Sequence, residues 1–463
     1  MIKNNQILNL DNRNKIVILF WISVIFLSDP GGFVIRLLGH SSTLSKFYRY
    51  SIVTIIYLCY LFLKNKRRYF FFEHKKILTE IKIFLTLWLF YYIVVYAFLN
   101  TDHKLVGMVF FAKHHRSIIQ IFLVVPIIFF SANGTLSYFV RAQSLITIIV
   151  MFLFILTALF GIQLVETMRF TRAFTSAMRI SLYGTGLMSF SLPIAFALVF
   201  SSFRQNKVVN GAGIAVIMYI FITITRRSIL GILEYILIIS FLYSIINNNL
   251  LTFISKLFSL RNISIIMLIL AITFILMPQY LTSTAESIKN VFEVFTTDNS
   301  FGSSKDRLSL TAKEGIVNAI KKNFFFGTGY HPSWFSGDGG EQGWEGGDYF
   351  FLGSFAQYGL IGLLFFLPYY VISIRVISKS IKIIKNNRMI IYSNEHIFMY
   401  PVLINIASGA FMIRNLIEYP NWFRPIASTN TSIGTFIYFG FLIGSYFYIQ
   451  KELFVIKEIK DEN

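Results

Sequence analysis

Apolar runs of membrane length alternate with short polar gaps along most of this chain. A membrane-crossing helix needs about 20 mostly apolar residues, with roughly 17–25 tolerated. By that rule the pattern predicts about twelve spans. They fall near residues 16–37, 47–63, 82–99, 117–133, 138–162, 183–203, 211–225, 228–246, 262–281, 347–373, 396–413 and 426–449. The second and seventh are short, and the pair meeting around 225–228 could be one broken helix. The first run follows Arg13 and Lys15, as a signal sequence would, but no small-x-small cleavage site comes after it. It therefore reads as an uncleaved anchor. The expected fold is an all-α polytopic integral membrane protein, with residues 1–463 forming a single membrane-embedded domain.

Orientation follows from Lys and Arg in the short gaps. The basic stretches KNKRRYFFFEHKK (Lys64 to Lys76), Arg204 with Lys207, Lys256 with Arg261, and RVISKSIKIIKNNR (Arg375 to Arg388) occupy alternate gaps. With these on the cytoplasmic side, both termini are cytoplasmic. One large extracytoplasmic loop then remains, residues 282–346. Within it, Leu308, Ala312, Ile316 and Ile320 have the spacing of one helical face. Ser303 and Asp306 supply a capping signature, and Lys321 and Lys322 suit the far end. The segment predicts an amphipathic helix on the outer membrane surface, or a plain solvated helix with no further role.

Composition supports the membrane reading and narrows the chemistry. Hydrophobic residues make up 55% of the 463 and charged residues 14%, against about 25% charged in an ordinary soluble domain. The mean hydropathy is +0.64. The formal charge of +20 is spread in short blocks between apolar runs, which argues against nucleic acid as a partner. The lone Cys59 excludes a disulfide framework and a Cys-rich metal site.

Several arginines violate the cytoplasmic bias. Arg169, Arg172, Arg179, Arg226, Arg227, Arg307, Arg414 and Arg424 all fall toward the outer face. A guanidinium offers a planar fork of donors that matches phosphate oxygens. A cluster at the outer mouth of a helix bundle therefore points to an anionic ligand, and a diphosphate fits best. Any single arginine could instead snorkel to lipid headgroups. Glu234, in SILGILEYILIISF, is an acid inside an apolar span and so a functional candidate. It lies two turns from Arg227, so an ion pair between them is the plainer account. Arg414 and Glu418, at i and i+4, are expected to pair.

The stretch GTGYHPSWFSGDGGEQGWEGGDYF, Gly327 to Phe350, closes the large loop. Gly327 and Gly329 permit a tight turn. His331, Asp338, Glu341, Glu345 and Asp348 can titrate. A single histidine argues against a His-based metal site, and the acids match no calcium loop. Trp334, Trp344 and Tyr349 present flat faces that suit sugar rings or a membrane-interface belt.

Four segments, in order, resemble the bacterial O-antigen polymerase and O-antigen ligase superfamily. They are RAFTSAMRISLYGTGLMSFSLPIAFAL, TRRSILG, DRLSLTAKEGIVNAIKKNFFFGTGY and GDYFFLGSFAQYGLIGLLFF, which together cover roughly residues 170–370. Where ligases of this superfamily carry a His-Asn pair, this chain has Gly347 and Asp348, a departure that favours the polymerase branch. The resemblance implies a glycosyltransferase of the bacterial inner membrane. It would transfer a growing glycan from undecaprenyl diphosphate to a sugar hydroxyl of a second lipid-linked repeat unit. Its partners would be undecaprenyl-diphosphate-linked oligosaccharides, membrane lipid and a chain-length regulator, with no cofactor and no metal. Arg172, Arg226 and Arg307 match the superfamily's arginines. Arg179 and Arg227 join Arg172 and Arg226 as expected diphosphate ligands. Arg307, Asp348 and His331 are the expected catalytic residues, with Asp348 before His331 as base. Trp334, Trp344 and Tyr349 are the expected sugar platforms. An O-antigen ligase or related oligosaccharyltransferase, and a multi-span transporter or flippase, are the alternatives.

Overall fold

A computed structural model describes residues 2–39, 42–64, 75–90, 122–160, 162–172, 175–182, 186–223, 226–247, 317, 320–321, 324–327, 350–418 and 431–461. Their order is α1 (Ile2–Phe26), a short 3-10 turn (Pro30–Gly32), α2 (Phe33–Leu37), α3 (Ser42–Lys64), α4 (Lys75–Phe90), α5 (Val124–Ser131) and α6 (Leu136–Phe160). A hairpin of β1 (Thr167–Arg172) and β2 (Thr175–Leu182) follows. The chain continues through α7 (Ser191–Phe200), α8 (Lys207–Thr223), α9 (Arg226–Asn247), α10 (Phe350–Asn386), α11 (Arg388–Ser393), α12 (Glu395–Glu418) and α13 (Thr431–Asp461). The described residues are thus almost wholly helical, as expected. The antiparallel hairpin is an addition to the all-α reading.

Among the described residues four helices are long and apolar enough to cross a membrane, and a bent pair makes a fifth. Three shorter apolar helices are Met188–Phe200, which includes α7, Lys207–Ile220 in α8 and Gly231–Asn247 in α9. The first predicted span is the bent pair. Arg13–Phe26 and Pro30–Leu37 meet at 81°. The cause is local. Asp29 sits in a left-handed conformation just before Pro30, and its two carboxylate oxygens accept the N–H groups of Val34 and Ile35, each at 3.0 Å. These donors open α2 and have no partner within it.

Two further boundaries differ from expectation. The basic run Arg375 to Asn386, read as a gap between spans, is a helical continuation of α10. Likewise the charged tail continues α13 to Asp461. Lys and Ile are compatible with helix, and no Gly or Pro interrupts either stretch.

Helix packing relies on small residues and buried hydrogen bonds. Gly440 and Gly444 of α13 face α5. A Cβ on Gly440 would lie 2.8 Å from Ile127 Cγ2, and one on Gly444 would lie 2.5 Å from Ser131 Cβ. This small-xxx-small spacing lets the two backbones approach, as in membrane helix pairs. Alongside, Phe20 stacks on Phe130, and Trp21 Nε1 donates to Thr135 Oγ1 at 3.0 Å. Asn405 Nδ2 donates to the Leu442 carbonyl at 3.1 Å and to Ser445 Oγ at 3.0 Å. Each bond satisfies a polar atom that burial would otherwise make costly.

The contacts also set helix directions. Asn405 meets Leu442 and Phe411 meets Tyr438, so α12 and α13 are antiparallel. Gly211 lies by Ile148 and Tyr219 by Phe154, so α6 and α8 are parallel. These directions give the bundle two distinct ends. At one, the Arg204 N–H donates to Glu395 at 2.6 Å and Asn206 donates to Tyr400 at 3.2 Å. The hairpin lies at the other.

Candidate functional site

The hairpin end is assembled from four parts of the chain. Tyr219, near the end of α8, accepts a hydrogen bond from the Leu182 N–H at 3.3 Å, tying β2 to the bundle. Tyr438 of α13 donates to the Gly186 carbonyl at 3.1 Å and stacks on Phe190 at 4.2 Å. That fixes the turn after β2. The first turn of α9 opens with Arg226 and Arg227.

Inside this end lies an ion pair between two helices. Arg414 Nε of α12 donates to Glu234 Oε2 of α9 at 2.6 Å, and both side chains are partly buried. The Arg414 guanidinium also sits over the Tyr235 ring, 4.9 Å from its centroid. Gly231 makes the arrangement possible. A Cβ there would lie 2.6 Å from an Arg414 terminal nitrogen, so any larger residue would push the guanidinium away. Carboxylate, aromatic face and missing side chain come from a single helix at positions 231, 234 and 235. These lie on one face because i, i+3 and i+4 coincide in an α-helix.

Glu234 and Arg414, each read from the sequence as a partner for a charge on its own helix, meet each other across two helices. The side chains of Arg227 and Glu418 lie outside the described residues.

A second relationship brings together two of the segments singled out in the sequence. The turn Phe324–Gly327 docks against a break in α10 at Gly359, whose φ is 66° and ψ −178°. The Leu360 and Ile361 N–H groups donate to the Phe324 and Phe325 carbonyls, each at 2.9 Å. A Cβ at Gly359 would lie 2.4 Å from both Gly327 N and the Phe325 carbonyl oxygen. Gly327 itself has φ 72°, in keeping with the expected turn. The turn Phe324–Gly327, which leads into GTG, and the YGLIG segment are thus joined backbone to backbone.

Of the expected site residues, the backbones of Arg172 and Arg179 lie in β1 and β2, and those of Arg226 and Arg227 open α9. Arg179 is three residues from Leu182, and Arg227 four residues from Gly231, about 6 Å along the helix axis. Their side chains lie outside the described residues. Arg307, His331, Trp334, Trp344, Asp348, Tyr349 and the predicted amphipathic helix as a unit also lie outside them. Tyr219, Tyr438 and Gly359 were not singled out as candidates by sequence. The only signal for Gly359 was its place in YGLIG, and Tyr438 sits in an unremarkable aromatic run. Among the described residues no group of three or more His, Cys, Asp or Glu could hold a metal.

Apolar helices of membrane-spanning length mark the chain as a helical membrane protein. No protein-family profile and no curated protein matches it.

Proposed function

We propose that this chain is a polysaccharide polymerase of the O-antigen type, working on the extracytoplasmic side of the bacterial inner membrane with twelve spans and cytoplasmic termini. One observation carries the reading. The hairpin that bears Arg172 and Arg179 is tied to the same end of the bundle as Arg226, Arg227 and the Glu234–Arg414 pair.

In the proposed reaction a sugar hydroxyl of one lipid-linked repeat attacks the anomeric carbon of the donor glycan. The carbon–oxygen bond to undecaprenyl diphosphate breaks, and the diphosphate leaves with the electron pair. The hydroxyl proton passes to Asp348, or to His331. Negative charge grows on the leaving group in a region of low dielectric, where fixed cations act more strongly than in water. Arg172, Arg226 and Arg307 supply that charge, with Arg179 and Arg227 beside them. The N-terminal turn of α9 adds backbone N–H groups and the positive end of a helix dipole. Trp334, Trp344 and Tyr349 form platforms for the sugars.

The test is the glycan ladder of a strain lacking the gene, complemented by the wild type or by Arg226→Ala. A polymerase predicts lipid A core capped with a single repeat in the deletion strain and no long chains with Arg226→Ala. Bare core with accumulated lipid-linked polymer would make the chain a ligase instead. An unaltered ladder in the deletion strain would overturn both.

A further inference from the structure

The exposed face of α10 changes character along its length. Leu364, Leu367, Val371 and Ile374 are exposed apolar residues, followed on the same row by Ser378, Lys382, Lys385 and Met389. The spacings are three or four residues throughout, so from Leu364 to Lys385 the row is one continuous helical stripe. Its apolar part, Leu364 to Ile374, rises about 15 Å, which is roughly the hydrocarbon depth of one leaflet. Then the stripe becomes cationic.

That cationic stretch ends in an open cleft of about 560 Å³ between the end of α9 and the α10–α11 junction. Lys385, Asn386, Arg388 and Met389 line it on one side and Ile246 on the other. Arg388 is positioned by a hydrogen bond from Nη1 to Asn247 Oδ1 at 3.4 Å. Asn387 donates back to the Ile383 carbonyl at 2.8 Å, which holds the helix end. Met389 is 82% exposed beside these charges.

Among the described residues no carboxylate compensates the charge here. No Asp or Glu occurs from residue 371 to 394. Of the nearby described acids, Glu80 is engaged by Arg375 and Glu395 accepts the Arg204 N–H. Lys379, Lys382, Lys385 and Arg388 are all exposed, and none pairs with a described carboxylate. A row of surface apolar side chains leading into clustered cations is complementary to an acidic phospholipid, with acyl chains along the former and a phosphate in the latter.

We propose that Lys382, Lys385 and Arg388 form a binding site for the phosphate headgroup of an acidic phospholipid, at the bundle end opposite the hairpin. The exposed row Leu364, Leu367, Val371 and Ile374 cradles its acyl chains. This site is separate from the proposed glycosyl-transfer end, and neither depends on the other.

Native mass spectrometry of the full chain, purified in mild detergent, tests it. Phosphatidylglycerol and phosphatidylcholine are added at equal concentration. The wild type should retain phosphatidylglycerol roughly fivefold or more over phosphatidylcholine. In the variant Lys382→Ala/Lys385→Ala/Arg388→Ala the preference should fall to near parity. Lys382→Arg/Lys385→Arg keeps the charge and should keep the preference, which separates loss of the site from loss of the fold. Lys457→Ala, at the exposed C-terminal end of α13, should change nothing. Equal retention of both lipids by the wild type would overturn the site, as would an undiminished preference in the triple variant. Inorganic phosphate or pyrophosphate displacing phosphatidylglycerol at equal concentration would also overturn it, by making the site one for soluble anions.

Discussion

Arg414 Nε lies 2.6 Å from Glu234 Oε2, joining residues 180 positions apart on α12 and α9. The bond puts a charged pair inside a region of apolar helices, where each partner makes the other affordable. Removing one partner leaves an uncompensated charge, whereas removing both leaves none.

Arg414→Ala and Glu234→Ala should each lower the thermal unfolding midpoint of the detergent-purified protein. The double variant should lose less than the sum, with a coupling energy of about 1–3 kcal/mol. A double-mutant cycle by scanning fluorimetry checks this, and simple additivity would show that the pair contributes nothing.

Gly359→Ala should be among the most damaging single-methyl additions in the described residues. Its backbone conformation is one that side chains avoid, at a cost of about 1–3 kcal/mol. The added carbon would also meet the Phe325–Gly327 backbone at 2.4 Å, and backbone cannot swing aside as a side chain can. Gly39→Ala is the control. It too has positive φ, 59°, but nothing within 4 Å of the added carbon, so only the conformational cost of about 1–2 kcal/mol remains. Comparing the two midpoints isolates the docking of the Phe324–Gly327 turn.

Asp29→Ala removes both acceptors for Val34 and Ile35 and should destabilise by about 1–2 kcal/mol. Asp29→Asn keeps one carbonyl acceptor and a residue that tolerates the left-handed conformation, so its loss should be smaller. Limited proteolysis around residues 27–39 would report the loosened bend. Equal behaviour of the two variants would show that the carboxylate is not holding α2.

Arg226→Lys distinguishes a bidentate diphosphate ligand from a general positive charge. Lysine keeps the charge but loses the planar fork. On the proposed function, polymer formation should fall by about tenfold with Lys, and by about a hundredfold with Ala. Full activity with Lys would mean that charge alone suffices at this position.

The helical class and the membrane character were legible in the sequence. Apolar runs of the required length are a local property, and Leu136–Ala158, Glu395–Arg414 and Phe47–Lys64 occupy places where such runs were expected. Helix ends were less legible. Arg375 to Asn386 reads as a loop because lysines are unwelcome in hydrocarbon, yet nothing in that stretch opposes helix once it leaves the apolar layer. The hairpin at Thr167–Leu182 was hidden because Arg, Phe, Thr and Met alternate without a clear period, and its pairing depends on where β2 is anchored to Tyr219. Of the candidate site, the arginines were legible as residues, but not that the hairpin bearing Arg172 and Arg179 is tied to the end of the bundle where α9 opens.

By itself the sequence determined which segments are apolar enough to leave water, and where basic residues would cluster between them. Both follow from transfer free energies that each stretch carries alone. Only the tertiary structure decided that Glu234 belongs to Arg414, that Gly359 receives the Phe324–Gly327 turn, and that the first span bends at Asp29. The first two are agreements between surfaces distant in the chain, set by which helices pack together and how closely. The third depends on whether one buried carboxylate can reach two backbone donors.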